Sequence, residues 1–279
     1  MRIAFQGETG AFSEEAVRAF FGAAAEPVPT PSFEAVFAAV EAGEAARAMV
    51  PIENSLFGSV HANYDLLRGT AVRIVGEVQL RIRHHLLALP GVALGDVRRV
   101  RSHPQALGQC RDFLRNRLPH AEAVPAYDTA GAAKQLAAEG VRDAAAIAGA
   151  RAAAEYGLEV LAAGIESNHQ NYTRFLVLAP DGTPPPPAEG PMKTSVVFAL
   201  RENVPGALFK SLAVFALREL DLFKVESRPL VGSPGQYLFY LDVEGAEADV
   251  PVQRAIGHLA ELTATLKVLG SYPVGETVE

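Results

Sequence analysis

Three neighbouring side chains could together bind and process a small anionic substrate. Thr173 carries a hydroxyl, Arg174 a permanent cation and Phe175 an aromatic ring, and an apolar run at 176–178 follows them directly. A strand needs apolar residues at alternate positions and gains nothing from a guanidinium at its entry. A small anion, by contrast, needs a charge, a hydrogen-bond donor and a dry wall close together. The alternative interpretation is that Thr173 favours a strand, Phe175 belongs to the core and Arg174 is a solvated strand end.

The role of Arg174 depends on how regular this strand is. Successive side chains of a strand point to opposite faces, so Thr173 and Phe175 would line a cleft while Arg174 faces away from it. Arg174 would then reach a ligand only through an irregular backbone. Otherwise it would order the cleft from behind by pairing with a carboxylate, for which Glu53 and Asp128 are the candidates.

The composition is that of a globular protein with a sizeable core. Of the 279 residues 49% are apolar and 20% are charged, so the chain should fold into two or three units. The net charge of −7 and the lack of a basic stripe argue against a nucleic-acid partner. No apolar run is long enough to span a bilayer and the N-terminus does not resemble a signal peptide, so we expect a cytoplasmic location and no membrane partner.

The sequence gives no sign of a metal or a cofactor, and we expect neither. The single Cys110 cannot form an internal disulfide, and no Cys/His spacing resembles a zinc site. The glycine turn at 7–13 lacks both the Lys-Ser/Thr ending of a P-loop and the dinucleotide fingerprint. The histidines considered for anion contact, without a catalytic assignment, are His84, His85, His103 and His169.

A proline-rich stretch divides the chain. Residues 181–191 include four consecutive prolines, which favour a stiff, extended spacer over a packed element. Upstream, residues 1–180 alternate strand-like and alanine-rich helical segments, a pattern typical of α/β folds that hold ligands at strand ends. We expect two lobes there, roughly 1–78 plus 165–180 and 79–164, on the plan of the periplasmic binding proteins.

The region beyond the linker has a different rhythm. Residues 192–279 follow the order βαββαβ, which predicts a ferredoxin-like sandwich. Such a fold alone says nothing about function. Along the chain we predict helices at 13–21, 32–42, 104–117, 129–139, 150–156, 205–220 and 250–262, and strands at 2–5, 48–51, 72–78, 84–88, 97–102, 144–148, 174–178, 194–200, 222–230, 237–243 and 265–269.

Several short motifs occur in a fixed order along nearly the whole chain. Each is weak alone, but the ordered set is specific. The motifs are GETGAFS at 7–13, VPIENS at 50–55, GSV at 58–60, YDLL at 64–67, SHPQALGQC at 102–110, YDTAGAA at 127–133, NYTRF at 171–175, NVPGAL at 203–208 and ESRP at 226–229.

This ordered set resembles the prephenate dehydratase family, in its monofunctional form with a C-terminal ACT regulatory domain. The resemblance implies an enzyme that turns prephenate into phenylpyruvate on the way to phenylalanine. It also implies L-phenylalanine as an allosteric effector and a homodimer or homotetramer. The alternatives that stay open are an arogenate or cyclohexadienyl dehydratase, and a non-catalytic protein that binds a small anion or an amino acid.

The implied reaction requires help for a departing hydroxide. Prephenate loses carbon dioxide and hydroxide together, and a donor must stabilise the charge that develops on the leaving oxygen. The resemblance makes Thr173 that donor, although a threonine hydroxyl is too weak an acid to supply the proton itself. Glu53 could supply or organise the proton if burial or the bound substrate raised its pKa, or it could simply cap a loop. Asn54 and Arg174 complete the implied catalytic set.

Substrate binding is expected from residues at helix starts, where free backbone N–H groups and the helix dipole favour an anion. If a helix begins at Pro104, Gln105 and Gln109 share one face, and Ser102 could either bind the anion or cap the helix. The glycine turn at 7–13 could cradle a carboxylate in a similar way. The implied substrate-binding residues are Ser55, Ser102, Gln105, Gln109, Phe175, Thr9 and Gly10.

The resemblance also implies an effector site in the C-terminal region. Gly206 would let the backbone approach a ligand at a helix start, and the segment at 226–229 would meet the same pocket from a neighbouring subunit. Inhibition would follow from a shift between open and closed clefts if L-phenylalanine bound one state more tightly. The alternative is an ordinary helix N-terminus at 205–208. The implied effector residues are Asn203, Pro205, Gly206, Ala207, Leu208, Glu226, Ser227, Arg228 and Pro229.

Overall fold

The structure of the protein is a computed structural model that describes residues 1–187 and 190–279. Ala188 and Glu189 belong to the predicted linker at 181–191 and lie outside the described residues. Among the described helices, none is long and apolar enough to cross a membrane.

The chain divides into two compact units. The predicted domain limits, 1–180 and 192–279, differ from this division and stay a prediction. The first unit comprises Met1–Asn63, Val78–Phe175 and Thr277–Glu279, and the second comprises Tyr64–Glu77 and Leu176–Glu276.

Strands and helices alternate through most of the described chain. In chain order the strands are β1 (Arg2–Gln6), β2 (Glu26–Thr30), β3 (Arg47–Asn54), β4 (Gly58–Ser59), β5 (Val72–Arg81), β6 (His85–Ala88), β7 (Arg99–Ser102), β8 (Glu122–Pro125), β9 (Ala144–Ala148), β10 (Glu159–Ala163), β11 (Tyr172–Pro180), β12 (Met192–Leu200), β13 (Leu222–Pro229), β14 (Tyr237–Glu244), β15 (Thr263–Pro273) and β16 (Thr277–Val278). The helices are α1 (Phe12–Phe21), α2 (Phe33–Glu41), α3 (His61–Gly69), α4 (Pro104–Gln109), α5 (Arg111–Arg117), α6 (Thr129–Glu139), α7 (Ala150–Tyr156), α8 (Ala207–Ala216) and α9 (Val250–Leu262).

The first unit contains two sheets, and each sheet is the centre of one lobe. The first sheet has the strand order β16-β5-β11-β3-β1-β2, and β4 pairs with β3. β5 and β11 each contribute the part of the strand that belongs to the first unit. β1 lies parallel to β2 and to β3, and Ile3, Ala4 and Phe5 are fully buried between the helices that flank the sheet. The carboxyl ends of these parallel strands therefore meet at one edge, just before α1 and α2 begin.

The second sheet of the same unit runs β10-β6-β9-β7-β8. β7 lies parallel to β8 and β9, whereas β6 is antiparallel to β9. Every residue of β9 is buried, and Leu86, Val100 and Ile147 belong to the apolar cluster of this lobe. Two sheets with intervening helices confirm the predicted two-lobed α/β architecture.

The second unit is built around an antiparallel sheet in the order β13-β14-β12-β15. Phe198, Phe215, Leu241 and Leu259 pack together where α8 and α9 meet this sheet. The sequence of elements from β12 to β15 is βαββαβ, so the predicted ferredoxin-like fold is confirmed.

Two predicted helices differ from the structure by more than one residue at an end or are divided there. The helix predicted at 104–117 is divided at Cys110 into α4 and α5, because the Cys110 backbone leaves the helical region at φ −102° and ψ 14°. The helix predicted at 205–220 begins only at Ala207, since Gly206 precedes it in a left-handed conformation at φ 81°. The prediction that Pro205 opens this helix is therefore wrong.

Candidate active site

A cavity of about 630 Å³ lies between the two sheets of the first unit. Strand ends from both lobes reach it: Gly7 follows β1, Pro31 follows β2 and Asn54 ends β3, while His103 follows β7 and Asp128 lies beyond β8. Carboxyl ends of strands are where α/β folds gather ligands, because loops of adjoining strands meet there. The cavity is therefore the candidate active site.

The starts of four helices line this cavity, two from each lobe. Residues from the first turn of α1, α2, α4 and α6 are all part of its wall. Ser32 caps α2 by accepting from Ala35 N at 3.3 Å, and Asp128 caps α6 by accepting from Gly131 N. Ala11 precedes α1 and provides no side-chain cap. No capping side chain therefore competes with a ligand for the Phe12 and Ser13 N–H groups, which face the cavity region. The helix dipoles make this space favourable for an anion.

The described residues of the cavity wall include no lysine or arginine. Its titratable side chains are His84, His103, Tyr127, Asp128 and Glu34. An anion bound here would consequently be held by helix N-termini and by neutral donors, rather than by a direct ion pair.

Asn54 connects the end of β3 with the start of β11 through its side-chain amide. Nδ2 donates to Asn171 Oδ1 at 2.8 Å, to the Tyr172 carbonyl at 3.2 Å and to Thr173 Oγ1 at 3.0 Å. Asn54 Oδ1 accepts from the backbone N–H groups of Leu56 at 3.0 Å and Phe57 at 3.1 Å. Since two backbone donors fix the oxygen, the amide NH₂ must face Thr173.

This arrangement determines what the Thr173 hydroxyl can do. Its oxygen accepts the hydrogen bond from Asn54, so its own proton stays available for donation in another direction. Thr173 and Phe175 line the cavity, and both are buried at the root of β11. Thr173 therefore presents an oriented hydrogen-bond donor beside an apolar wall.

Gln109, the last residue of α4, lies against a buried histidine. Its Oε1 is 2.6 Å from His84 Nε2, and both side chains line the cavity. His84 is 2% exposed and its ring meets Phe12 edge to face at 5.4 Å. Burial lowers the pKa of His84, with the hydrogen bond to Gln109 acting in the opposite direction, so the imidazole is neutral.

A polar clamp joins the two lobes at the rim. Tyr127 Oη donates to Glu8 Oε1 at 2.9 Å, and Lys134 Nζ donates to Glu8 Oε2 at 2.8 Å. The Lys134 hydrogen bond lowers the pKa of Glu8, which keeps that carboxylate ionised. Burial raises the pKa of Asp128 next to it, and the Glu8 charge adds to this effect against the bond from Gly131 N–H.

The structure brings five of the predicted catalytic and substrate-binding residues to the cavity wall. Thr173, Asn54, Gln105, Gln109 and Phe175 all line it.

The remaining predicted residues of this set do not line the cavity, and their side chains or backbone groups serve other contacts. Ser102 is fully buried and donates to the Ile147 carbonyl at 2.6 Å, while His103 Nδ1 accepts from Gln105 N at 3.3 Å at the start of α4. Neither predicted role of Ser102, anion contact or helix cap, is therefore supported.

Ser55, Thr9 and Gly10 lie outside the described wall of the cavity and make hydrogen bonds to other parts of the first unit. Ser55 Oγ donates to the Gln170 carbonyl and accepts from Tyr172 N, both at 2.9 Å. The Thr9 carbonyl accepts from Tyr156 Oη at 2.6 Å, and Gly10 N donates to Glu14 Oε2 at 2.7 Å. Direct substrate contact by these three residues is not supported.

Glu53 and Arg174 are also absent from the described wall of the cavity. Glu53 lies opposite Ser59 in the short β3–β4 pairing. Arg174 is half-buried and alternates with Thr173 and Phe175 along β11, which places it on the other face of the strand. Direct contact of either side chain with a ligand is not supported, and a supporting role for both stays a prediction.

Sequence reasoning did not assign several residues of the wall. Phe12 and Ser13 lie in the motif at 7–13, and Tyr127 and Asp128 lie in the motif at 127–133. These two motifs could therefore have indicated the four residues as part of the site. His84 was considered for anion contact only, because its 2.6 Å contact with Gln109 depends on the folded structure.

Comparisons with known proteins place the chain in a family. The family model for prephenate dehydratase matches residues 3–183. The chain is 49% identical over 287 residues to a protein of Arabidopsis thaliana named arogenate dehydratase/prephenate dehydratase 2, chloroplastic, covering 100% of this chain and 74% of the relative.

Two solved structures share the fold over nearly the whole chain. A prephenate dehydratase from Arthrobacter aurescens, in complex with L-Phe, has a TM-score of 0.90 and 38% identity, covering 98% of this chain and 90% of that one. A protein described as GqqA, a novel type of quorum quenching acylase, has a TM-score of 0.88 and 36% identity, with 98% of both chains covered.

This chain belongs to the prephenate dehydratase family. It is a dehydratase, and hence a carbon–oxygen lyase.

Proposed function

We propose that the enzyme catalyses the decarboxylating dehydration of prephenate to phenylpyruvate, within the biosynthesis of L-phenylalanine. The observation that carries this proposal is the Thr173 hydroxyl, which lines the cavity and accepts from Asn54 so that its proton is free to donate. The family membership supplies the reaction class, and the cavity wall supplies a donor suited to it.

The proposed chemistry asks little of the protein beyond orientation and charge stabilisation. The ring carboxylate leaves as carbon dioxide, the electron pair of its C–C bond completes the aromatic ring, and the C–O bond of the ring hydroxyl breaks. The departing hydroxide takes up a proton and leaves as water. A hydrogen bond from Thr173 strengthens as charge develops on that oxygen, so it lowers the barrier. Because Glu53 does not line the cavity, water is the proposed proton source.

The two carboxylates of prephenate suit a cavity with helix starts on both sides. The uncapped start of α1 would receive one carboxylate, and the side-chain amides of Gln105 and Gln109 on α4 would receive the other. Binding across both lobes would hold the ring against Thr173 and the apolar side chain of Phe175, which lie on the same face of β11.

Turnover of purified enzyme tests the proposal directly. The full chain mixed with prephenate should release phenylpyruvate, and Thr173→Val should lower kcat by roughly a hundredfold to a thousandfold with a small change in KM. Thr173→Ser is the matched control, because it keeps the hydroxyl and should retain most of the activity. Tight binding of prephenate without product would instead support a binding protein.

Arogenate is the second candidate substrate, and one feature of the wall favours it. Asp128 and Glu34 place carboxylates at the cavity, and an ammonium group such as that of arogenate would pair with one of them. The ratio of kcat/KM for arogenate and prephenate decides between the two. If arogenate is preferred, Asp128→Asn, which can still cap α6, should reduce that preference.

Feedback by L-phenylalanine at an ACT domain is a further part of the proposal. It is supported by the ferredoxin-like fold of the second unit and by the solved relative described as a complex with L-Phe. Asn203 Nδ2 donates to the Gly235 carbonyl at 2.9 Å, which ties the loop before α8 to the β13–β14 turn. Gly206, with φ 81°, forms the start of α8 where a ligand could approach the backbone.

Calorimetry with L-phenylalanine tests this regulatory role. Ala207→Leu adds bulk at the first residue of α8 and should abolish binding and inhibition while leaving uninhibited turnover unchanged. Ala216→Leu makes the same change at the last residue of the helix and should retain both. Equal loss in the two variants, or none in either, would contradict an effector site at the start of α8.

A homodimer or homotetramer and a cytoplasmic location stay predictions. Exposed apolar side chains of the second unit support self-association, since Phe209 on α8 is 75% exposed and Leu217, directly after α8, is 78% exposed, with Phe223 and Val225 exposed on the edge strand β13. Sedimentation of the purified chain, with and without L-phenylalanine, measures the oligomeric state.

A further inference from the structure

His84 is almost fully buried, yet it belongs to the wall of the candidate active site. It is 2% exposed and directly precedes β6, and its backbone N–H donates to Glu166 Oε2 at 2.9 Å. Its Nε2 lies 2.6 Å from Gln109 Oε1, and its Nδ1 has no hydrogen-bond partner within the described residues. Buried polar groups are normally hydrogen-bonded, so the role of this ring depends on its contact with Gln109.

The contact with Gln109 limits which ring nitrogen of His84 can carry the proton. A neutral imidazole has one N–H donor and one lone pair. If Nε2 carries the proton, it donates to Gln109 Oε1 and only a lone pair on Nδ1 stays unpaired. In the reverse arrangement the Gln109 amide donates to Nε2, and a buried N–H at Nδ1 is left without an acceptor, which is the rarer and costlier situation. The first arrangement is therefore favoured.

We propose that His84 is a positioning residue, which fixes the Gln109 amide with its oxygen held by the imidazole and its NH₂ group directed at a carboxylate of the substrate. This inference rests on the proposed function, because it assigns a partner to the bound anion. A glutamine amide without such a neighbour can rotate between two orientations, and one of them would aim its carbonyl oxygen at the anion. The described wall has no lysine or arginine to compensate for that error.

The surroundings of His84 keep it in the required neutral state. The ring is packed against Phe12, and the charged or titratable groups that act on it are Glu166 and His85. Burial is the strongest influence and lowers the pKa of His84, while the nearby Glu166 charge opposes this. A neutral ring offers a single donor, so its proton position and the Gln109 orientation are linked.

A kinetic double-mutant cycle tests whether His84 acts through Gln109. His84→Phe should raise KM by about tenfold with kcat nearly unchanged, and Gln109→Ala should raise KM by a similar factor. In the Gln109→Ala background, His84→Phe should have no further effect on KM, because the amide that it orients is gone. The proposal would be overturned if the KM of the double variant rose by the product of the two single effects. It would also be overturned if His84→Phe changed only kcat.

His85→Phe is the matched control for this cycle. His85 is the next residue, it is also partly buried, and it does not line the cavity. Its replacement should leave KM within about twofold of the parent value. An equal rise of KM in the His85 variant would mean that the effect comes from disturbing β6, and would contradict a specific role for His84.

Nitrogen-15 NMR of the wild-type imidazoles provides a readout that needs neither a variant nor turnover. Near neutral pH the His84 ring should carry its proton on Nε2 and none on Nδ1. A proton on Nδ1 would overturn the inference even in a fully active enzyme. Conversely, a protein that fails to convert prephenate or arogenate but shows the Nε2–H form would refute the proposed function while the His84–Gln109 arrangement stands.

Discussion

Asn54 Nδ2 lies 3.0 Å from Thr173 Oγ1, and this contact sets the direction in which the threonine hydroxyl donates. The two residues are far apart in sequence and come from neighbouring strands, β3 and β11. Because Leu56 N and Phe57 N hold the Asn54 oxygen, the amide has no freedom to reverse. The predicted catalytic role of Asn54 would thus be to orient Thr173, without any contact between Asn54 and the reacting bond.

Asn54→Asp is the substitution that tests this control most sharply. The carboxylate keeps the size of the side chain and can still accept from Leu56 N and Phe57 N, but its second oxygen accepts from Thr173 instead of donating to it. The hydroxyl proton would then be drawn away from the leaving group. We expect kcat to fall by roughly a hundredfold or more, with a smaller change in KM, in steady-state measurements.

Ser55→Ala is the control for Asn54→Asp, because Ser55 also bonds to the entry of β11 but does not line the cavity. It should lower stability modestly and leave kcat within a few-fold of the parent value. If Asn54→Asp retains full kcat, the orientation argument for Thr173 is wrong.

Gly131→Ala should open the rim of the cavity. A β-carbon at Gly131 would overlap the Tyr127 ring, so the ring must move and its hydrogen bond to Glu8 must break. Alanine also favours a helix over glycine by about 1 kcal/mol, so the global stability should not fall. A rise in KM combined with an unchanged or higher midpoint of urea unfolding is therefore expected.

Tyr127→Phe isolates the hydroxyl in this clamp, since it removes the bond to Glu8 while the ring can stay over Gly131. Its KM should rise less than that of Gly131→Ala. If Gly131→Ala changes neither KM nor stability, the Tyr127–Glu8 clamp does not affect substrate binding.

Glu15 should make the stability of the first unit depend on pH. Burial raises its pKa from 4.5 to about 7, against a hydrogen bond from Arg151 N. A raised carboxyl pKa means that the folded state binds the proton more tightly, so its contribution to stability is complete below pH 4.5 and is lost as pH rises to about 7. This difference corresponds to about 3 kcal/mol.

Glu15→Gln should remove this dependence, because the amide does not titrate. The free energy of unfolding of the variant relative to the parent should rise by about 3 kcal/mol between pH 4.5 and pH 8, measured by urea unfolding followed through tyrosine fluorescence. Comparing the two proteins at each pH cancels the titration of other groups. Parallel stability curves for variant and parent would refute the assignment.

The sequence did not predict the helix α3 or the strands β2, β4, β8, β10 and β16, and most of these strands lie at the edge of a sheet. β2, β8 and β10 each lie at the edge of a sheet, and none of them was predicted as a strand. An edge strand has one neighbour and is only partly buried, so it lacks the apolar alternation that marks the interior strands. β2 even contains Pro27 and Pro29, which an edge tolerates because their missing N–H groups are not required for pairing.

The candidate site was predictable where a motif residue ends a strand or starts a helix. Asn54 occupies such a position at the end of β3 and Gln105 in the first turn of α4, and the ligand-facing edge of an α/β sheet follows from the fold class. The predicted site role of Ser102 is not supported, because Ser102 alternates with Val100 on the buried face of β7 and its hydroxyl donates to the Ile147 carbonyl. Pairings such as His84 with Gln109 join residues on separate elements, and a single sequence does not encode them visibly.

Gly10 is expected to be the glycine of the first unit least tolerant of a side chain. It has φ 87°, and a β-carbon there would lie 2.8 Å from Ala152 Cα, a backbone atom of α7 in the opposite lobe. Gly140 has φ 64°, and apart from its own chain neighbours none of the described residues has an atom within 4 Å of its β-carbon position, so Gly140→Ala introduces backbone strain without a collision. Gly140→Ala should cost about 1–2 kcal/mol of unfolding free energy.

Gly10→Ala should cost clearly more than Gly140→Ala, by about 1–3 kcal/mol, since the collision adds to the strain and a helix backbone cannot move aside as a side chain can. The displacement would also disturb the contacts of Thr9 with Tyr156 and of Glu14 with Arg151, which join the two lobes, so KM should rise in Gly10→Ala and stay unchanged in Gly140→Ala. Urea unfolding of both variants and their steady-state kinetics measure these two effects. Equal costs in the two variants would show that the close approach of α7 to Gly10 does not hold the lobes together.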